Sequence, residues 1–168
     1  MLHADRIYNH ALRMLGNREE AEEAVQDIFL KVHRGMAEFR GQSDIRTWLY
    51  RITVNTCLTR SRRKMRREIH PDGEDGKAEN FWDILVNSRD TPEDLLIKKD
   101  MQEFFLGALE LILPAEKELL LLFHVDELQY GEIARVLNIP IGTVCTQLYR
   151  ARKKLRAKIF VMQKAFSG

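Results

Sequence analysis

An all-α fold of two small helical domains joined by an acidic linker is predicted by three features of this 168-residue chain. Apolar residues recur at three- and four-residue steps in successive windows, and no alternating strand pattern competes with them. Ionic residues come in blocks of one sign. The segment QYGEIARVLNIPIGTVCTQLYRARKKLR, residues 129–156, reads as two helices joined by a sharp turn, the second running into a cationic tail.

The elements follow in chain order. Ile7, Ala11, Leu12 and Leu15 predict a first helix that ends at Gly16. Asn17 before Arg18, Glu19 and Glu20 is a capping residue with acids at the positive end of the helix dipole, and Ala21, Ala24, Val25, Ile28, Phe29 and Val32 form the apolar stripe of the second helix. FRGQS, residues 39–43, makes a loop whose Ser43 is expected to cap a third helix. That helix carries Ile45, Trp48, Leu49 and Ile52 on one side, passes through Asn55 and Leu58, and ends in the cluster RSRRKMRR at residues 60–67. These three helices form the first domain, residues 1–67.

Residues 68–90 are expected to form the linker, polar and acidic, with a short apolar patch at residues 81–86. Thr91, Pro92, Glu93 and Asp94 then give a cap, a proline at the first helical position and two acids, opening a second domain at residues 91–168. Met101, Phe104, Phe105, Ala108, Leu109 and Ile112 supply its first stripe, and Pro114 starts a helix through Phe123. In the last segment Ile133, Ala134 and Leu137 lie at helical spacing. Asn138 tolerates the left-handed geometry of a helix end, and Pro140 stops continuation. Gly142 and Thr143 open a helix that turns Val144, Leu148 and Leu155 inward, leaving Thr146, Tyr149, Arg150 and Lys153 elsewhere. A helix of that kind fits a DNA major groove.

Composition sets the outer limits. With 45% hydrophobic and 31% charged residues the chain suits a soluble protein, and its formal net charge of +2 conceals the blocks. Every ionic residue from Arg46 to Arg67 is basic. Between His70 and Asp94 eight acids face only Lys77 and Arg89, and no acid follows Glu132. Cys57 and Cys145 lack metal-ligand spacing, so reduced thiols are expected. The longest aliphatic block, residues 119–123, is too short to cross a bilayer, and no secretory leader opens the chain, so a cytoplasmic location without membrane insertion is expected. His3, His10, His33, His70 and His124 are scattered, and no HExxH or phosphate-binding glycine loop occurs. Neither an enzyme nor a bound cofactor, metal or small-molecule substrate is expected.

Three segments, NREEAEEAVQDIFLKVHRG, FRGQSDIRTWLYRITVNTCLTRSRR and LPAEKELLLLFHVDELQYGEIARVLNIPIGTVCTQLYRARKKL, stand in an order and at a spacing that resemble the bacterial extracytoplasmic-function (ECF) sigma factors. The resemblance covers nearly the whole chain. It implies sigma domain 2 up to Arg67, sigma domain 4 from about Thr91, and a dissociable promoter-specificity subunit that binds the two largest subunits of core RNA polymerase. It also implies promoter DNA and an anti-sigma factor as partners.

By position, the resemblance places Phe39, Arg40, Ser43 and Asn55 in or beside a pocket for a flipped base of the minus-10 element. Holding opened DNA calls for cations along the backbone and pockets for unstacked bases, and Arg51, Arg62 and Arg63 join the site on that ground. Trp48 and Leu49 read as core. For the minus-35 element the candidates are Thr143, Thr146, Tyr149, Arg150 and Lys153. Arg150 suits a guanine edge and Tyr149 a thymine methyl, while Arg152, Lys153, Lys154 and Arg156 suit phosphates. Gln26, Asp27 and Lys31 are the candidates for polymerase binding, on the side of the second helix away from its apolar stripe. The chain departs from the family at Cys145 and Gln147, where basic residues are common, and in the short stretch before its first helix.

A stand-alone helix-turn-helix regulator is the alternative, and a protein-binding adaptor a third. Both lack a use for a basic helix beside a base-pocket loop.

Overall fold

The computed structural model describes residues 2–41, 43–69, 105 and 107–166. Among them run the helices α1 (Leu2–Leu15), α2 (Arg18–Met36), α3 (Ile45–Ile69), α4 (Pro114–His124), α5 (Tyr130–Leu137) and α6 (Ile141–Phe166). A helical turn at residues 107–110 precedes α4. Ile69 completes α3. The apolar patch at residues 81–86, the helix start at Thr91 and the stripe residues Met101 and Phe104 lie outside the described residues.

Local signals account for most helix ends. Gly16 sits at φ 68°, a left-handed conformation that costs glycine least, and its N–H closes α1 on the Leu12 carbonyl at 2.8 Å. Asn17 caps α2, its side-chain oxygen accepting from the Glu20 N–H at 3.0 Å. For α3 the cap is Asp44 rather than Ser43: Asp44 Oδ1 accepts from the Arg46 N–H at 3.0 Å, and the helix begins one residue later. A carboxylate suits that position better than a hydroxyl, because it also faces the positive end of the dipole. Pro114 opens α4, and Glu116 reaches back to the Leu113 N–H at 3.4 Å. Asn138 ends α5 at φ 55° and ψ 48°, so α6 can restart at Ile141 in a new direction.

Helices α1, α2 and α3 pack pairwise as a bundle, while α4, α5 and α6 pack on one another as a second unit. The two units touch through α4 against α1 and α3, and through α5 against α3. A single buried cluster runs from Ala11, Leu12 and Met14 through Tyr50, Val54 and Cys57 to Leu119, Leu120, Ile133, Val144 and Leu148. Because α4 is surrounded by α1, α3, α5 and α6, all four of Leu119, Leu120, Leu121 and Leu122 are buried. That explains a run without helical alternation.

The same sandwiching moves the buried face of α3. Thr47, Tyr50, Thr53, Val54, Thr56 and Cys57 are buried, whereas Trp48, Leu49 and Ile52 are half-buried and Ile45 is exposed, contrary to the apolar side read from the sequence. Thr53 and Thr56 can be buried because their hydroxyls are satisfied locally: Thr53 donates to the Leu49 carbonyl at 2.9 Å and Thr56 to the Ile52 carbonyl at 2.8 Å.

Candidate nucleic-acid interface

Helix α6, the second of the helix-turn-helix, is split cleanly by its period. Val144, Leu148, Ala151 and Leu155 are buried, and Thr146, Tyr149, Arg150 and Lys153 are exposed, as the spacing predicted. Tyr149 keeps 68% of its surface in solvent, so it does not serve helix packing. Thr143 is half-buried in the first turn, its N–H bonded to the Pro140 carbonyl at 2.9 Å, and Thr146 donates to the Gly142 carbonyl at 3.0 Å.

Two of the four cations expected to meet phosphates are instead turned back onto α4. The Arg152 guanidinium lies 4.8 Å from the Phe123 ring centroid and its Nε donates to His124 Nε2 at 3.2 Å; Lys154 pairs with Glu116. Burial and the Arg152 charge hold His124 below its ordinary pKa, which keeps that nitrogen an acceptor. Lys153 and Arg156 remain exposed.

On the bundle, Arg40, Ser43, Asn55, Arg62 and Arg63 are exposed and Phe39 is half-buried. Phe39 is fixed by Trp48, ring centroids 5.1 Å apart, and Trp48 lies directly over Gly35 of α2. The loop after α2 turns at Gly41, φ 68°. Part of the basic cluster on α3 is occupied. Arg60 bridges Glu23 at 3.0 Å and Asp27 at 2.5 Å, and Lys64 stands 3.7 Å from Glu20. Burial disfavours the Arg60 charge, but Asp27 and Glu23 together outweigh it and raise its pKa. Arg51 is also engaged: its guanidinium donates to the Arg135 carbonyl of α5 at 2.7 Å.

The proposed polymerase-binding residues do not form one free polar face. Asp27 is held by Arg60, and Lys31 donates to Thr56 Oγ1 at 2.9 Å, so both tie α2 to α3. Gln26 is exposed beside a groove walled by Phe29, Leu30, His33 and Met36. Phe29, which the stripe placed inside, is 45% exposed, and Leu30 and Met36 are 55% and 54% exposed. The core side of α2 is taken by Ala21, Ala24 and Ile28, and Phe29, the next residue after Ile28, projects about 100° round the helix from it and off that face.

One cluster had no signal in the sequence. His10 of α1 is buried, with Nδ1 2.6 Å from Asp126 Oδ2 and Nε2 2.8 Å from Glu118 Oε1. The second contact is an ion pair without hydrogen-bond alignment, and neither Glu118 oxygen finds another hydrogen bond. Burial opposes the imidazolium, yet Glu118 and Asp126 more than offset it and push the His10 pKa up to about 10. The Tyr50 ring packs edge-on at 6.2 Å. Of the two cysteines, Cys57 is buried, and burial pushes its thiol pKa up; Cys145 is exposed. Among the described residues no cluster of His, Cys, Asp or Glu could hold a metal ion, and no helix is long and apolar enough to cross a membrane.

A helix-turn-helix whose last helix has a bare outer face, packed beside a bundle whose third helix is cationic, is the architecture of a DNA-binding protein. Residues 1–67 match the family model for Sigma-70 region 2, and residues 105–155 match that for Sigma-70, region 4. The chain is 31% identical over 160 residues to the ECF RNA polymerase sigma factor SigW of Bacillus subtilis (strain 168), covering 94% of this chain and 85% of the relative. It is 31% identical over 157 residues to the ECF RNA polymerase sigma-E factor of Escherichia coli (strain K12), covering 90% and 82%. The chain belongs to the ECF RNA polymerase sigma factors, which bind core RNA polymerase and direct it to promoters. Its fold is similar to that of the sigma factor RpoE in complex with the anti-sigma factor NepR from Bartonella quintana, at a TM-score of 0.70 and 21% identity over 95% of this chain and 93% of that one. CnrH, in complex with the cytosolic domain of CnrY, follows at a TM-score of 0.63 and 19% identity, over 95% and 84%.

Proposed function

We propose that this sigma factor reads a promoter at two points, with residues 1–67 serving the minus-10 element, residues 91–168 the minus-35 element, and residues 68–90 linking them. At minus-10, Phe39, Arg40, Ser43 and Asn55 line the approach to a flipped base, and Arg51, Arg62 and Arg63 contact the backbone. At minus-35, Tyr149 and Arg150 read base edges, Thr143 and Thr146 flank them, and Lys153 meets a phosphate. Polymerase docks on α2 through Gln26 and the apolar groove of Phe29, Leu30 and Met36, with Asp27 and Lys31 at its edge. An anti-sigma factor covers the same surfaces. The protein works in the cytoplasm and leaves the chemistry of transcription to polymerase.

One observation carries this assignment furthest. The exposed face of α6 holds a tyrosine and an arginine side by side, both exposed among the described residues, over a buried opposite face. A bidentate arginine contact to guanine is worth about 1–3 kcal/mol of discrimination. The test is transcription from a selected promoter by purified core polymerase. Arg150→Ala is expected to lower promoter-specific initiation roughly 5- to 150-fold while core binding persists. Loss of core binding instead would move Arg150 to the polymerase interface.

A further inference from the structure

We propose that the cavity between α1, the start of α3 and the loop from α4 to α5 binds a small phosphorylated anion of pyrophosphate size, held by Arg6, Asn9, Arg13, Arg46 and Tyr50. The cavity measures about 340 Å³, at the small end of the roughly 300–1,000 Å³ typical of ligand sites. Its donors come from two helices. Arg6, Asn9 and Arg13 stand three and four residues apart on α1 and so share one face, and Arg46 and Tyr50 are one turn apart on α3. Val125, Asp126 and Glu127 close the third side.

Tyr50 marks this as a built site rather than a patch of surface arginines. It is only 6% exposed, and its hydroxyl has no aligned hydrogen bond among the described residues, Asp126 included. Burial, followed by the Asp126 charge, pushes its pKa up to about 12, so the hydroxyl stays a donor. The cations acting on it are Arg46 and Arg6, both walls of the cavity, so the hydroxyl end of the ring is turned toward the site. Arg46 repeats the pattern: its Nε is buried without a partner, and Glu132 approaches the guanidinium no closer than 3.8 Å. A buried donor left unpaired costs free energy that an acceptor in the cavity would return. Arg13 is half-buried and forms no ion pair; burial lowers its pKa, and Asp126 offsets this only in part.

The charge balance selects an anion. Asp126 gives Oδ2 to the His10 imidazolium and Glu127 is exposed, which leaves the walls with three guanidiniums. Guanidinium forks fit the oxygens of both carboxylates and phosphates. A carboxylate spreads its acceptors in one plane, whereas a phosphoryl group presents them on all sides, which suits donors arriving from α1 and α3 at once.

The site goes beyond promoter reading, and its test needs neither promoter nor polymerase. Sodium pyrophosphate is titrated into the full chain in a calorimeter at constant ionic strength, with malonate and a random-sequence DNA duplex as separate arms and circular dichroism on every variant. One saturable site is expected in the parent. Arg13→Gln should weaken it about 10- to 150-fold, and Tyr50→Phe about 2- to 10-fold. Should Arg13→Gln unfold, Arg6→Gln, at an exposed side chain, carries the same expectation. Glu127→Gln removes a like charge from the cavity wall and should tighten binding about 2- to 5-fold. Lys158→Gln, at an exposed cation of α6 outside the cavity, should leave it unchanged. Absence of saturable binding to the folded parent would overturn the site, as would an equal loss in Lys158→Gln and Arg13→Gln, the mark of diffuse charge. Malonate bound as tightly as pyrophosphate would overturn the phosphoryl assignment, and a duplex that competes pyrophosphate away would hand the cavity to nucleic-acid backbone instead.

Discussion

Gly35 offers a substitution whose sign is decided by one contact. An added methyl at this position of α2 would stand 2.9 Å from Trp48 Cζ2 and 3.6 Å from Cη2. Optimal carbon separations are about 3.5–4.0 Å, so the ring would have to retreat by roughly half an ångström or more. Trp48 is an edge of the Phe39 contact, at 5.1 Å between centroids, and cannot move without disturbing the loop that follows α2. Against this, exchanging glycine for alanine inside a helix gains about 1 kcal/mol, less at Gly35, which is the penultimate residue of α2. Overpacking costs about 1–3 kcal/mol. The clash wins, and Gly35→Ala is expected to lose about 1 kcal/mol, a fall in melting temperature of about 2–4 °C for a chain of this size. Gly131→Ala in α5 is the control. Nothing lies within 4 Å of its added methyl, so the same exchange should raise the melting temperature. Calorimetry on both proteins checks the pair. A Gly35→Ala protein that gains as much as Gly131→Ala would refute the contact between Trp48 and α2.

Three further outcomes follow from the geometry. The His10 pKa is raised from 6.5 to about 10, so its stabilising contribution is complete below pH 6.5 and is lost as the pH climbs through about 10. With Glu118, Asp126, Tyr50 and Arg13 around it, urea unfolding should show a loss of roughly 2 kcal/mol between pH 7 and pH 9 that is absent in His10→Gln; equal slopes in the two proteins would contradict it. Leu30→Asp places a charge in the exposed groove of α2 and should weaken core polymerase binding at least tenfold in a pull-down titration, with an unchanged melting temperature, because Leu30 is 55% exposed. Asn138→Gly should hold or slightly raise the melting temperature, whereas Asn138→Val should lower it by several degrees, since a branched residue is strained at φ 55°.

What the sequence revealed follows the range of the interactions involved. Asn17, Gly16, Pro114 and Asn138 act on neighbours within a turn, and each marked its helix end correctly. The exposed face of α6 was legible for the same reason: α6 is packed on one side, so a 3.6-residue period separates Leu148 from Tyr149 and Arg150. The bundle was harder. α3 is packed on two sides, and its buried Thr53 and Thr56 bond their own helix, so a polar-looking stripe is core while Ile45 is outside. Phe29 misled because hydrophobic periodicity does not distinguish a core from an exposed apolar face. Arg60 and Lys64 looked like free cations until the α2 carboxylates came within reach. The His10 node joins residues more than a hundred positions apart, and no local pattern encodes such a meeting.

The division of α6 has an evolutionary side. Tyr149, Arg150 and Gln147 contribute little to folding, since exposed positions of this kind change stability by only about half a kcal/mol on substitution. Leu148 and Ala151, interleaved with them, are fixed by burial. On the proposed reading of this face, mutation can therefore rewrite which operons this protein visits without first acquiring compensating changes elsewhere. Duplicated copies of such a gene could diverge in regulon by a handful of surface exchanges, each of them neutral to the fold.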